Sequence, residues 1–364
     1  MGVALTAAEA PSAPDHTLTV ISGRPRERGI QYGRKFREPI RSFLEKEIYE
    51  TFTKTPPKSS TQAPNKEEML RYAALCGKEI RGYSPVIMQE LEGMAEGAGL
   101  ELEEAVLLSL HEELWHRGNL PAPEHCTALA AGPPDTSDGS TYVAQSWDWM
   151  QRVYGMSSLL LWKRPEGPSL LSYSYPGLWA GAGMNSSGIA LVWTSAENTM
   201  KLAGPRVGIP SYVLIAQILY QETLQAAVAE ARRAKQAGWF TFVLADGSGQ
   251  LANIEGSPGE LAVEFTRGSF ARTYYGSRQM TRTPPGEPVR VHPQCQRMFD
   301  LLRSRKGHLN RTTLQGFYGD HESTICKHFG TLDVMLFNTT RREAWVERGP
   351  GCSGKWKRFT FEDA

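Results

Sequence analysis

Turn signals cut the middle of this chain into pieces too short to be helices. Asp138-Gly139, Pro165-Glu166-Gly167 and Asn185-Ser186-Ser187-Gly188 separate the runs "STYVAQSWDW", "SSLLLWKR", "SLLSYSYP" and "GIALVWTSA". Each run is rich in β-branched and aromatic residues, and each is bounded by residues that favour tight reversals. That combination predicts an antiparallel meander.

Helical patterns flank the meander. In "GIQYGRKFREPIRSFLEKEIYETF" the apolar residues Ile30, Tyr32, Phe36, Ile40, Phe43, Leu44 and Ile48 recur on one helical face. Pro39 must kink or restart that helix. A polar, proline-rich loop begins at Lys54. Ser84-Pro85 reads as N-cap and first residue of a helix, and Gly97-Ala98-Gly99 separates it from a second. "SYVLIAQILYQETLQAAVAEARRAKQAG" reads as a helical stretch. Strands resume in "WFTFVLADGSGQLANIEGS", "ELAVEF" and "FARTYYG". "CQRMFDLLRSRKG" is helical again, and "TLDVMLFNTTRREAWVER" is a closing hairpin. Helices lying between two sets of antiparallel strands point to an α+β fold, two packed sheets with helices outside.

The bulk composition excludes more than it selects. A net charge of +1 offers no concentrated basic patch for nucleic acid or a membrane surface. No apolar run approaches the roughly 20 residues of a membrane span. Five scattered cysteines with no CxxC pair indicate neither a disulfide framework nor a structural zinc site. The leader "MGVALTAAEAPSAPDH" lacks a basic segment followed by a long apolar one, so a cytoplasmic location is expected. Gly2 and Thr6 fit the loose myristoylation pattern, and Asn185, Asn310 and Asn338 open N-x-[ST] triplets; both read as chance matches.

"APEHCTALAAGPPDTSDGSTYVAQSWDW" places a thiol and a carboxylate at the two open ends of one predicted hairpin. With a turn centred near Ser137, Cys126 faces Asp148; a bulge would shift the pairing by one. A carboxylate does not activate a thiol, since negative charge raises a thiol pKa. It would serve a cation at the same place. An α-amino group on Cys126 would be such a cation, and it exists only if the chain is cut before Cys126. With an unperturbed pKa of about 7.7–8.0 it could act as general base for its own thiol. The residues alone equally allow Cys126 to be a small buried residue opening a strand.

The segment resembles the acyltransferase branch of the N-terminal-nucleophile (Ntn) hydrolases, typified by isopenicillin N acyltransferase and distantly related to the choloylglycine hydrolases. The likeness rests on Cys126-Thr127, Asp138-Gly139 and Gln145-Ser146-Trp147-Asp148 in that order. "SGRPRERGIQYGRKF", "LEGMAEGAGLELEEAVLLS", "GAGMNSSGIALVW" and "STICKHFGTLDVMLFNTTRREAWVERGPGC" extend it from about Ile21 onward. The resemblance implies a four-layer αββα sandwich of two antiparallel sheets and a precursor that cuts itself. Cys126 matches the nucleophile and His125-Cys126 the cleaved bond. Residues 1–125 would be a helical N-terminal chain and 126–364 the chain carrying the nucleophile, together one structural domain. Asp148 matches the aspartate that holds the new amine.

Other matched positions depart from the family. Ser195 and Tyr274 stand where relatives carry oxyanion-hole asparagines; their hydroxyls can also donate. His125 replaces the usual glycine, which predicts slower processing. The family's substrate-contacting arginine falls at Lys327 or His328. Trp149 is a candidate for the wall of an apolar acyl pocket.

The expected activity is that of a self-matured amidohydrolase or N-acyltransferase. It would act on a small N-acyl amine or an acyl thioester, acyl-CoA among them, through an acyl-Cys126 intermediate, with no cofactor or metal. The two cleaved chains would stay associated. The alternative is an uncut, catalytically diverged member that binds a small molecule. "HEELWH" at His111 is not a zinc-protease helix, because His111 and His116 are five apart rather than four. "ADGSGQ" at Ala245 is a hairpin turn without the lysine of a phosphate loop, and Cys126 precedes a strand rather than the helix of a papain-like site.

Overall fold

A computed structural model describes residues 14–57, 60–118, 126–195, 206–273, 287 and 291–363. The first third is helical. α1 (Pro25–Lys35) ends at Phe36 and α2 (Arg37–Phe43) restarts with Pro39 in its first turn, where no intrahelical N–H is lost. A π-helical turn (Leu44–Tyr49) continues into α3 (Glu50–Phe52). α4 (Lys66–Tyr83) is followed by α5 (Pro85–Ala98), whose N-cap Ser84 accepts a hydrogen bond from the Ile87 amide. Gly99 closes α5 at φ 68°. α6 (Leu102–Ser109) and α7 (His111–Arg117) then replace the single expected helix.

The strands form two sheets. The larger runs in the order β1 (Leu18–Ile21), β4 (Ser158–Trp162), β5 (Leu170–Tyr175), β6 (Leu178–Asn185), β7 (Ala190–Ser195), β8 (Phe240–Ala245), β9 (Leu251–Ser257), β10 (Glu260–Thr266). The smaller runs β11 (Ser269–Arg272), β2 (Ala128–Ala131), β3 (Tyr142–Asp148), β12 (Thr331–Asn338), β13 (Glu343–Arg348), β14 (Lys357–Thr360). One pairing departs from the all-antiparallel expectation: β1, an edge strand from the N-terminal segment, lies parallel to β4. The expected helical stretch after the meander is broken into α8 (Ser211–Leu219) and α9 (Leu224–Arg233), because Thr223 caps a new helix by accepting from the Ala226 amide.

Alternation along the smaller sheet sets the layers. Ala128, Ala130, Val143, Met335, Phe337, Ala344 and Val346 join the core shared with the larger sheet. Their neighbours Leu129, Ala131, Tyr142, Ala144, Val334, Leu336 and Trp345 pack instead with Cys295, Met298 and Leu302 of α10 (Pro293–Ser304) and Leu314 and Phe317 of α11 (Arg311–Phe317). Side chains alternate across a strand, so each face of this sheet meets a different layer. On the far side α8 packs against β6, and α1 reaches β5 through the Tyr32 hydroxyl, which donates to the Tyr175 carbonyl at 2.7 Å. The result is the four-layer αββα sandwich. α1 and α5 touch backbone to backbone at Gly29, Gly33, Gly93 and Gly97; a Cβ on Gly29 would lie 2.1 Å from the Glu90 carbonyl oxygen. Among the described residues, no helix is long and apolar enough to cross a membrane.

Candidate active site

Cys126 sits just before β2, at the edge of the described chain; His125 and Tyr274 lie outside the described residues. The β2–β3 register pairs Ala128 with Gln145, and the Ser146 amide donates to the Thr127 carbonyl. Continued by one step, that register sets Cys126 opposite Trp147, one residue short of the Asp148 pairing expected from a turn centred at Ser137. The pairing is centred between Thr136 and Ser137 rather than on Ser137, and that half-residue offset moves the partner by one. A one-residue shift reverses faces. The Cys126 side chain therefore shares a face with Gln145 and Trp147, while the Asp148 carboxylate lies on the other.

The two residues still meet. Cys126 Sγ is 3.9 Å from the Asp148 carbonyl oxygen. The Asp148 carboxylate is wholly buried and three side chains hold it. Thr331 Oγ1 donates at 2.8 Å, Ser146 Oγ at 3.3 Å, and Lys327 Nζ forms an ion pair with Oδ2. A bulge at Leu332, where β12 slips against β3, turns Thr331 toward Asp148. Burial pushes the Asp148 carboxyl upward, against the pull of Lys327, Thr331 and Ser146. Of the two residues expected at the substrate position, Lys327 reaches Asp148, while His328 points to His321 and Cys352.

On its own face Cys126 borders a tight cavity of about 20 Å³ lined by His111, Glu112, Trp147, Trp149, Trp193 and Ser195. Trp149 crosses Trp115 edge to face at 5.0 Å, which fixes that wall. Gln145 ties the two sheets together beside it, its Oε1 accepting from the Trp193 amide at 2.9 Å. Ser195 and Trp149, both expected from the sequence, thus share one cavity with Cys126.

Glu112 was not expected there. "HEELWH" reads as a failed metal motif, yet α7 buries both of its glutamates, Glu112 against the pocket and Glu113 against Ser211. Ser195 Oγ donates to Glu112 Oε1, and His116 Nε2 lies 3.3 Å from both atoms. Burial and the neighbouring Glu113 push Glu112 up to about 8, although the Ser195 bond opposes them. Glu112 is therefore neutral at pH 7 and carries a donor proton of its own. Burial and the Arg152 charge hold His111 down at about 3, so it is a neutral ring in this wall.

The Glu112 assignment has a stability signature. The unfolded carboxyl ionises near its ordinary value while the folded one keeps its proton, so the folded state is penalised progressively as pH rises from about 4.5 to about 8. Glu112→Gln, which stays neutral, should gain Tm relative to wild type between pH 5 and pH 9. A Tm difference that is flat over that range would show that Glu112 ionises normally.

The thiol has its own consequence. Burial first, then the Asp148 and Glu112 charges, push Cys126 up to about 12, against the Asp148 backbone bond and Lys327. Relative to an ordinary thiol at 9.0, that leaves about a thousandfold less thiolate near neutrality. In uncut protein at pH 8, iodoacetamide should modify Cys126 about 10³-fold more slowly than a free model thiol such as N-acetylcysteine. Peptide mapping that finds equal rates would overturn the assignment.

The sequence model of the family described as acyl-coenzyme A:6-aminopenicillanic acid acyl-transferase matches residues 135–277, a stretch that starts after Cys126 and takes in Asp148, Ser195 and Tyr274. The acyl-coenzyme A:6-aminopenicillanic-acid-acyltransferase 40 kDa form of Emericella nidulans is 25% identical over 290 residues, 73% of this chain and 75% of that protein. Penicillin V acylase from Agrobacterium tumefaciens is similar in structure with a TM-score of 0.40 and 14% identity, covering 61% of this chain and 83% of that one. A mutant of conjugated bile acid hydrolase from Clostridium perfringens gives a TM-score of 0.44 and 10% identity, covering 65% of this chain and 96% of that one.

Proposed function

We propose that this chain, a relative of the acyl-coenzyme A:6-aminopenicillanic acid acyltransferases within the Ntn hydrolases, is the precursor of an enzyme that carries acyl groups on Cys126. One observation carries the reading. Cys126 stands between an aromatic pocket and a buried carboxylate already paired with a cation. Its apolar lining matches the acyl chain of an amide or thioester, which would enter as the rings part around it, with acyl-CoA a natural donor for a relative of this family. Asp148 suits an ammonium. In the uncut chain Lys327 supplies that positive charge. After cleavage the α-amine of Cys126 would lie next to the same carboxylate, because the following amide, of Thr127, already donates to Ser146 Oγ and Ser146 donates to Asp148.

Maturation begins with attack of Cys126 Sγ on the carbonyl carbon of His125. The C–N bond breaks, a thioester forms, and its nitrogen leaves as the Cys126 amine. Water hydrolyses the thioester and frees the thiol and the His125 carboxylate. In the mature enzyme the amine takes the thiol proton, the thiolate attacks the acyl donor, and the leaving amine or thiol takes the proton back. Water or a second amine then removes the acyl group. The oxyanion needs a fixed donor. Among the described residues, the Cys126 pocket is lined by two hydroxyl side chains, Ser195 and Tyr212; Ser195, which the resemblance sets in the family asparagine's place, would be that donor, backed by neutral Glu112.

Single-turnover acylation with an activated, apolar acyl thioester tests this reading. Mass mapping should find the acyl group on the peptide that begins at Cys126. Acyl transfer with Cys126 unmodified, or transfer that survives Cys126→Ala, would refute it.

A further inference from the structure

Away from the pocket, behind Asp148, four metal-binding side chains converge. His321, Cys326, His328 and Cys352 bring their ligand atoms within 4.8 Å of one another. The two imidazole Nε2 atoms are 2.9 Å apart, and Cys352 Sγ is 3.4 Å from His328 Nε2. We infer that these four residues form a tetrahedral Cys₂His₂ site for a divalent transition metal, and that zinc is the ion it takes.

The donor set selects the metal. Two thiolates and two imidazoles are soft and borderline ligands that suit zinc and offer little to calcium or magnesium. Zn–N bonds of about 2.0–2.1 Å and Zn–S bonds of about 2.3 Å set tetrahedral ligand atoms roughly 3.3–3.8 Å apart. The observed separations bracket that range, so small side-chain rotations would seat the ion. Its charge would be balanced by the two thiolates. A shared proton between His321 and His328 would explain the imidazole contact but not the two sulfurs beside it.

The backbone around the cluster is built to hold it. Asp320 anchors the first loop: its carboxylate pairs with Arg297 of α10 and caps the Glu322 amide at 2.8 Å, while its carbonyl accepts from the Cys326 amide at 2.8 Å. The second loop, after β13, is fixed by Glu347, which accepts from the Lys355 amide and from Ser353 Oγ. Gly351 lets this loop press on the first, since a Cβ there would lie 2.5 Å from the Tyr318 carbonyl oxygen. Each loop contributes a cysteine, and the metal would join them.

All four ligands come from protein, so the site is structural and leaves no open position for catalysis. Its position still matters. Lys327 lies between the ligands Cys326 and His328 and turns the opposite way, onto Asp148. A metal would fix the loop that presents Lys327, making Lys327 a positioning residue; that last clause rests on the function proposed above.

The test uses the full chain, purified with reductant and incubated with zinc before buffer exchange. About one zinc per chain should remain by elemental analysis. Replacing zinc with cobalt should give the strong visible bands of tetrahedral Co(II) and a thiolate-to-cobalt charge-transfer band. His321→Ala and Cys352→Ser alter exposed side chains and should each lose the zinc and the cobalt spectrum. A chelator should lower Tm in wild type and not in those variants. Cys126→Ala should keep its zinc, which separates failure of this site from failure of the proposed chemistry. Wild type that retains no metal, zinc that persists in the His321→Ala, Cys352→Ser double variant, or a Cys326–Cys352 disulfide in the reductant-treated protein would each overturn the assignment.

Discussion

Denaturing mass spectrometry of purified wild-type protein is expected to show two fragments, Met1–His125 and Cys126–Ala364, and native mass spectrometry a complex of both. Cys126→Ala should stay one chain and show no acyl transfer. The effect is all-or-none because cleavage creates the base. Before it, the thiol sits at about 12, half-buried between the Asp148 carboxylate and the neutral Glu112, and donates to the Asp148 carbonyl. After it, an amine with an unperturbed pKa of about 7.7–8.0 is available within one residue of that thiol. The chains should remain together because a single buried cluster draws on both sides of the cut, from Ile21 and Phe43 in the first to Trp193 and Phe359 in the second. His125 in place of glycine should make maturation slow, so a time course serves better than one endpoint. Wild type that stays a single chain yet turns over an amide would exclude the N-terminal amine as base.

The fold was legible where local chemistry and tertiary environment agree. The meander strands β3, β4, β5 and β7 alternate or are bounded by strong turn residues, and Ser84-Pro85 marks the start of α5. β6 was harder to read as a strand, because Gly181 and Gly183 weaken it by propensity. They are there for space: a Cβ on Gly183 would lie 2.9 Å from the Leu171 carbonyl oxygen. β1 is four residues long and finds its partner far along the chain, so nothing local marks it.

The site divides in the same way. Cys126, Asp148 and Trp149 belong to one hairpin, and a hairpin is a local object. Its register was not readable, because a long loop does not determine where pairing begins. The Glu112–Ser195 contact joins a helix to a strand 83 residues away, and no spacing encodes it. The Cys₂His₂ cluster is split by the β12–β13 hairpin, which separates His328 from Cys352 by 24 positions and hides both from any zinc spacing pattern.

Asp148→Asn, measured on protein that has already matured, should lower single-turnover acylation by roughly 10⁴-fold, the loss seen when the orienting carboxylate of a catalytic unit loses its charge. The amide keeps the shape, and Thr331 and Ser146 can still bond to it, so the fold should hold. What it cannot keep is the negative charge facing a cation. In the uncut chain Lys327 occupies that charge. In the mature enzyme the amine would face it too, and with an amide in place of the carboxylate the protonated amine loses its counter-charge. The acid form that the amine adopts after taking the thiol proton is then disfavoured. The pH profile should move with it: the acidic limb of kcat/KM, set by the amine losing its proton, should shift to lower pH, because removing a nearby carboxylate lowers an amine pKa. Thr331→Val should cost much less, since it removes one neutral hydrogen bond and leaves the charge in place. A matured Asp148→Asn enzyme with near-normal turnover and an unmoved acidic limb would remove Asp148 from the chemistry, leaving it as the buried partner of Lys327 alone.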